Sequence, residues 1–467
     1  WVTLPPPEGR ELDRREAPRL FAMIDELRKK LRVGRIHHVQ LSPRFNASVT
    51  QCPRLGLLGW QVNYLELGVP LMQALSPEHF RAVVAHELGH LSGNHGRFGG
   101  WIYRVRQTWS RLLARFEETP HFGAFVVDGF LRWYALYFSA YSFALARANE
   151  YEADRCAAEA TDSRIAGETL IQTFVQGRYL DESIWPEIMR RADHDPQPPT
   201  EVFATVARAM RQRPPAAERY LRQSLMEETH YDDTHPCLIH RLKALGYLPP
   251  LADPETVAVE PPPPPAETAA ERYLGSLADT YMAEVDRQWR SSIESEWRER
   301  YAYAQRAMEE LRALDERAAV QPLTVEEAWE RARLTGEFRG NDAAIPLLTE
   351  VVRLDPDHFG TNYALGAILH ERNDLAAIPY LERAMERDPT LVLPVCEWIE
   401  ELLARNGRAF EGLRYRERAE QHRHLLRLAE RERQAVSAGD RFEPHGLSAA
   451  QIAELRAQIA RYEEVRR

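Results

Sequence analysis

His86-Glu87-Leu88-Gly89-His90 is the segment of this 467-residue chain whose residue types and spacing carry the clearest chemistry. On a helix, His86 and His90 lie one turn apart on the same face. Their imidazoles converge on one cation, and Glu87 is turned toward the edge of the same site. With one further protein ligand the pair would hold a zinc ion and leave a position for water, whose pKa zinc lowers from about 15.7 to roughly 7. That is the layout of a hydrolytic zinc centre, with one Zn2+ per chain.

The third ligand must come from elsewhere. A longer HExxHxxGxxH pattern fits at Gly93, but its last position is Gly96, and His95 stands one residue early. A one-residue slip turns a side chain by about 100° on a helix, so His95 is a solvated or capping histidine. Glu150 is the better candidate: a second helix carries Glu150 and Asp154 at i and i+4, on one face. Glu150 then ligates the metal, while Asp154 accepts a hydrogen bond from the outer nitrogen of a ligand histidine and fixes its tautomer.

Local signals place these residues on helices. Ser76-Pro77 supplies an N-cap with proline at the first helical position, and Phe80, Val83, Val84, Leu88 and Leu91 follow at helical spacing. Residues 17–33 form an amphipathic helix. Ile36 to Leu41 and Gly59 to Leu67 are expected strands, with Asn46 to Thr50 a shorter third. The strand ending at Leu67 precedes the histidine helix directly, the position of an edge strand able to dock an extended peptide through backbone hydrogen bonds.

The strings AVVAHELGHLSGNHG and RANEYEADRCAAE, with Asp233-Thr234-His235-Pro236 and Arg241 beyond them, resemble the gluzincin family of the heat-shock protease HtpX, the CAAX prenyl endopeptidases and their soluble relatives. The resemblance covers about residues 16 to 248. It implies His86, His90 and Glu150 as zinc ligands, Glu87 as general base and Asp154 as the partner of a ligand histidine. His235 and Arg241 would lie near the substrate or the oxyanion. An imidazole facing the metal donates to a developing oxyanion; the same group at rest would instead fill the fourth metal position and hold the enzyme inactive. The resemblance also implies protein or peptide substrates, unfolded or membrane-associated, and a part in protein quality control.

Net charge is −10, spread over mixed-sign helical segments, with no basic block, aromatic-basic motif or phosphate-binding glycine loop, so no nucleic-acid partner is expected. Cys52, Cys156, Cys237 and Cys396 are scattered without a CxxC pair and read as free thiols, which favours a reducing compartment. Phe122 to Ala146 is the most apolar internal stretch. Asp128 and Arg132 within it each cost about 2.5 to 3.5 kcal/mol at a bilayer centre, so a buried or interface-touching helix is expected there rather than a span. Arginines 97, 104, 106, 111 and 115 give the preceding stretch an amphipathic, soluble character. Members of the resembled family often carry membrane helices before the catalytic domain, and Val2 to Pro7 has the character of an exit from such a segment. The expectation is a membrane anchor upstream, with the present residues soluble and on the cytoplasmic side.

Along the chain, residues 1–248 form the expected metallopeptidase domain, and Pro249-Pro250 with Pro261 to Pro265 mark a stiff linker over 249–266. Residues 267–322 are a charge-rich helical connector with Trp289 and Trp297 as packing anchors. An internal repeat follows. Ile345-Pro346 recurs at Ile378-Pro379, and Leu354-Asp355-Pro356 at Arg387-Asp388-Pro389. Residues 323–440 thus resemble tetratricopeptide repeats, whose concave face serves a protein partner or substrate. Ser448 opens a capping helix over 441–467. The expected fold is mainly α with a small antiparallel edge sheet: a zincin-like domain followed by an α-helical repeat domain. The expected activity is zinc-dependent endopeptidase; a chaperone or assembly scaffold with a latent zinc site is the alternative.

Overall fold

Upstream of His86 the chain alternates short apolar strands with helices that start at proline. The computed structural model, which describes residues 7, 9–53, 61–92, 146–227, 229, 235–434 and 448–459, shows how they assemble. The chain divides into two compact units, Trp1–Gln305 and Arg306–Arg467.

The first unit opens with β1 (Arg10–Glu11), α1 (Pro18–Lys30), β2 (His38–Ser42), β3 (Ala47–Pro53) and β4 (Gln61–Gly68). Leu20, Phe21, Met23, Ile24 and Leu27 are the buried stripe of α1, each worth about 1.5–3 kcal/mol relative to exposure. The strands form one sheet in the order β1-β2-β4-β3. β1 and β2 are antiparallel, as are β3 and β4, but β2 and β4 run parallel. The sheet is therefore mixed, not antiparallel as expected.

A second correction concerns β4, the expected edge strand. Leu65 faces Val39 of β2 on one side and Val49 of β3 on the other. Both edges of β4 are hydrogen-bonded, and its Leu65 and Leu67 are fully buried. Among the described strands β3 forms the outer edge on this side, pairing with β4 alone. Gly68 ends β4 where the loop before β3 crosses it: a Cβ there would lie 1.9 Å from the Arg44 carbonyl oxygen.

Two helices then lead to the motif, α2 (Val69–Ala74) and α3 (Pro77–Gly89). The Ser76 hydroxyl caps α3 by accepting from the His79 N–H, and Pro77 sits at the first turn. The chain is again helical over 146–160 (α4). Next come α5 (Ser163–Tyr179), a π-helical turn over Leu180–Ile184, α6 (Trp185–Arg190), α7 (Val202–Met210), α8 (Ala217–Met226) and α9 (Leu238–Ala244).

The proline-rich stretch 249–266 is not a spacer between units. Pro261 and Pro262 are buried, and Val257 and Val259 pack on the cluster formed by α5, α8 and α9. The chain then returns to the central core through α10 (Ala269–Tyr273) and the start of α11 (Ser276–Ala318). Ala269 N–H donates to the Leu75 carbonyl at 2.8 Å, Tyr281 Oη to the Leu41 carbonyl at 2.9 Å, and Phe203 N–H to Asp286 at 2.8 Å. Trp297 is 1 % exposed, with its indole N–H on the Asp195 carbonyl. The compact first unit therefore runs past residue 248 to about residue 305, within α11.

The second unit is a succession of helical pairs: α12 (Val325–Arg339) with α13 (Asn341–Leu354), α14 (Phe359–Glu371) with α15 (Ala377–Arg387), and α16 (Val392–Arg405) with α17 (Ala409–Gln434). At each hairpin bend stands a residue with positive φ: Gly340 (92°), Asn373 (57°) and Gly407 (70°). These positions tolerate glycine or asparagine because a Cβ crowds the backbone there. Small residues set the helix spacing, as at Gly366, where an added Cβ would meet Leu381 at 2.7 Å. A last helix, α18 (Ala449–Ile459), follows Ser448.

Among the described residues no helix is long and apolar enough to cross a membrane. The arginine-bearing stretch 97–115, all of Phe122 to Ala146 but its last residue, Gly93, His95, Gly96, Asp233 and Thr234 lie outside the described residues.

Candidate metal centre

Two helices supply the ligand set. α3 carries His86, 14 % exposed in its side chain, and ends at His90, 7 % exposed; α4 carries Glu150, also 7 % exposed. His86 Nε2 lies 3.7 Å from Glu150 Oε2, and His90 Nε2 lies 3.6 Å from Glu150 Oε1. The two rings stand perpendicular with centroids 4.9 Å apart. Ligand atoms bound at about 2.0–2.1 Å in a tetrahedron are separated by roughly 3.3 Å, so these residues fit one small cation. His86, His90 and Glu150 are the one such group of potential ligands among the described residues.

Gly89 makes the convergence possible. A Cβ at residue 89 would lie 3.0 Å from Ala153 Cα and 3.1 Å from Cys156 Cβ. The helices α3 and α4 meet backbone against backbone at this point. The glycine inside the motif is thus a packing requirement that the sequence pattern alone did not reveal.

Behind the ligands is a buried charge ladder. His86 Nδ1 is 3.0 Å from Asp154 Oδ1, which points His86 Nε2 toward Glu150. Asp154 in turn accepts two hydrogen bonds from Arg241, from Nε at 2.9 Å and from Nη2 at 2.6 Å. Arg241 Nη2 also lies 3.9 Å from Glu150 Oε2. Arg241 was expected near the substrate or oxyanion. It lines the cavity beside His86, Glu87 and His235, and its buried guanidinium is engaged bidentately by Asp154, a contact between α9 and α4 that no local pattern signals.

The electrostatics follow from burial and these partners. Burial disfavours the Glu150 carboxylate, but His235, His86, His90 and Arg241 together hold its pKa down to about 2. Asp154 is likewise held well below the ordinary range by Arg241 and His86, against the cost of burial. Burial and the neighbouring His86 push His90 down to about 3, leaving the neutral imidazole that a metal ligand requires. Burial opposes a charge on His86, yet the Asp154 hydrogen bond raises its pKa overall. Glu87 is pushed up to about 7, by burial first and by the nearby Glu150 charge, with His86 opposing.

The backbone amide of Val49 in β3 is close enough to Glu87 to favour its charged form. The motif helix α3 packs against β3, the outer strand. Together with the sheet order, this packing shows that β3, rather than β4, borders the site. His235, 66 % exposed in its side chain, brings Nδ1 to 2.9 Å from Glu150 Oε2. A cavity of about 170 Å³ opens beside His86, Glu87 and His235 and continues between Ala47, Val83 and Phe174.

Residues 58–248 match the family model of peptidase family M48. No curated protein matches the chain. The matched segment contains His86, His90, Glu150, Asp154, His235 and Arg241. It supports a metal-dependent peptidase of the M48 type, acting on protein or peptide substrates.

Proposed function

We infer that the protein is a zinc-dependent endopeptidase. One juxtaposition carries the reading: ligand atoms of His86, His90 and Glu150 gathered within 4.8 Å of one another, with Glu87 beside them on the helix that packs against the edge strand. Two imidazoles and one carboxylate are a zinc-type donor set that leaves a position open. Held there, zinc supplies Lewis acidity and a water that ionises near neutral pH.

The rest is done by the chain. An extended substrate adds to the outer edge of β3 through backbone hydrogen bonds, which favours unfolded segments over any particular sequence. Glu87 removes a proton from the water that attacks the scissile carbonyl and returns it to the leaving amine. Asp154 fixes the tautomer and orientation of His86. Arg241 acts through Asp154, as a positioning residue. His235 lies within reach of the scissile carbonyl as a hydrogen-bond donor.

The second unit is read as a tetratricopeptide-like module that recruits substrate or a partner; its support is the helical pairing and the recurrent positive-φ bend at Gly340, Asn373 and Gly407. A second reading, a binding scaffold with a latent metal site, draws on the 2.9 Å approach of His235 to Glu150, since an imidazole there is also placed to block the site. Cleavage of casein or a peptide library by the wild-type chain, compared with Glu87→Gln, tests the first reading. Equal turnover by both proteins would defeat it. His235→Ala separates the two roles of the imidazole: a rise in turnover marks it as a block, a fall as an oxyanion donor.

A further inference from the structure

A groove of about 890 Å³ lies beside the metal cavity and shares Phe45, Thr173 and Phe174 with it. This volume is in the range of ligand pockets and far above packing defects. Its inner wall is aromatic. Trp185 stands 5.8 Å from Phe203 and 6.5 Å from Trp289, centroid to centroid. Trp289 comes from α11, beyond the segment matched to the peptidase family.

The π-helical turn at Leu180–Ile184 shapes one side of the groove. Proline at 186 has no N–H to donate to the carbonyl of residue 182. The ladder slips by one residue, and Trp185 N–H donates to the Leu180 carbonyl instead. Such turns recur at binding sites because they re-aim side chains. The widened turn is fixed by the Ser183–Tyr220 hydroxyl contact at 2.7 Å. At the rim, Arg178 is neutralised by Glu182 and Glu227 and also donates to Ser224. The groove thus presents an aromatic wall and an internally paired rim.

Phe45 connects this groove to the edge strand. It lies two residues before β3 and four before Val49, which adjoins Glu87. Four extended residues span at most on the order of 13 Å. A polypeptide paired with β3 across the site therefore passes the mouth of the groove a few residues from the reacting bond.

We propose that the groove walled by Trp185, Phe203 and Trp289 is a substrate subsite that takes one large aromatic or aliphatic side chain of the polypeptide, two or more residues from the scissile bond. This rests on the endopeptidase reading for its occupant. The groove adds what an edge strand lacks, a preference for side-chain type.

Gly177 gives a clean way to fill the groove. It lies on α5 in the lining, and an added Cβ would meet nothing closer than Phe45 Cε1, at 3.8 Å. The experiment uses peptides of alanine and serine carrying a single tryptophan moved along the sequence, with the tryptophan-free peptide as reference. Wild-type kcat/KM is expected to exceed the reference at least tenfold at one position, and Gly177→Leu to bring that ratio to about one. Because the ratio is read within each protein, a general loss of fold does not mimic the result. The same peptides, labelled and titrated against the Glu87→Gln chain by fluorescence anisotropy, report occupancy without cleavage. Tryptophan-dependent binding that Gly177→Leu abolishes, with no cleavage by wild type, would leave the groove standing and remove the endopeptidase reading. A flat tryptophan scan, or a preference that Gly177→Leu leaves unmoved, overturns the groove.

Discussion

Charge is handled in opposite ways in the two units. Around the metal centre, Glu150, Asp154 and Arg241 are all less than 10 % exposed, and Arg241 lies against both carboxylates. In the second unit the ion pairs lie on exposed or half-exposed surfaces, some within a turn, as in Arg353 with Glu350 and Arg408 with Glu411, and others across longer stretches of chain, as in Arg387 with Asp357. Buried pairs cost desolvation and are tolerated where they fix a geometry; exposed pairs contribute little and are interchangeable. The first arrangement suits a site whose atoms must stay in place, the second an array held by apolar helix pairing.

The bluntest way to break the comparison is to cut the chain. Ending it after Pro262 removes Ala269, Tyr281 and Trp297 from the first unit and should abolish soluble, folded protein, whereas ending it after Ala318 keeps that core. Expression followed by circular dichroism and limited proteolysis distinguishes the two, and a well-folded 1–262 fragment would contradict the assignment of α10 and α11 to the first unit.

Within the metal centre, Glu87→Gln should lower turnover by about 10²–10⁴ while bound zinc stays stoichiometric. Glu150→Ala should lose both zinc and activity. Metal analysis by plasma emission beside a peptide assay reads both, and a full complement of zinc in the Glu150→Ala chain would remove Glu150 from the ligand set.

Arg241→Ala should cost on the order of 3–5 kcal/mol, because it breaks a buried ion pair and leaves the Asp154 carboxylate with His86 as its remaining partner. Arg353→Ala in the second unit should leave the unfolding midpoint where it is. Denaturant melts of both proteins sharpen the contrast, and equal midpoints for the two variants would mean that the buried ladder confers no particular stability. A smaller effect is expected at the hairpin bends: Gly407→Ala places a Cβ at positive φ and should cost about 1–2 kcal/mol, read from the same melts against an alanine substitution at exposed Glu417.

What the sequence disclosed divides along local and non-local lines. His86 with His90 and Glu150 with Asp154 were legible because an i, i+4 relation is fixed by the helix itself. The cap at Ser76 was legible for the same reason. Strand order was not, since residues 61–68 have the same composition whether they pair on one edge or on both. The prolines at 261–265 indicated a chain outside helix and strand, as it is, but that does not reveal what a segment packs against. Arg241 was found by its spacing from His235, and its engagement by Asp154 depends on how α9 meets α4. Val49 came forward only through the sheet register.

Gly89 bears on which ion the site selects. The distance from the histidine pair to Glu150 is set where α3 and α4 touch, and the contact is limited by hydrogen on residue 89. Alanine there would push the helices apart by a few tenths of an ångström, leaving every ligand present but at a longer reach. First-row ions near 2.0 Å from their ligands would then fit less well than ions that bind at 2.3 Å or more. The spacing of the ligand set is therefore written in the absence of one methyl group.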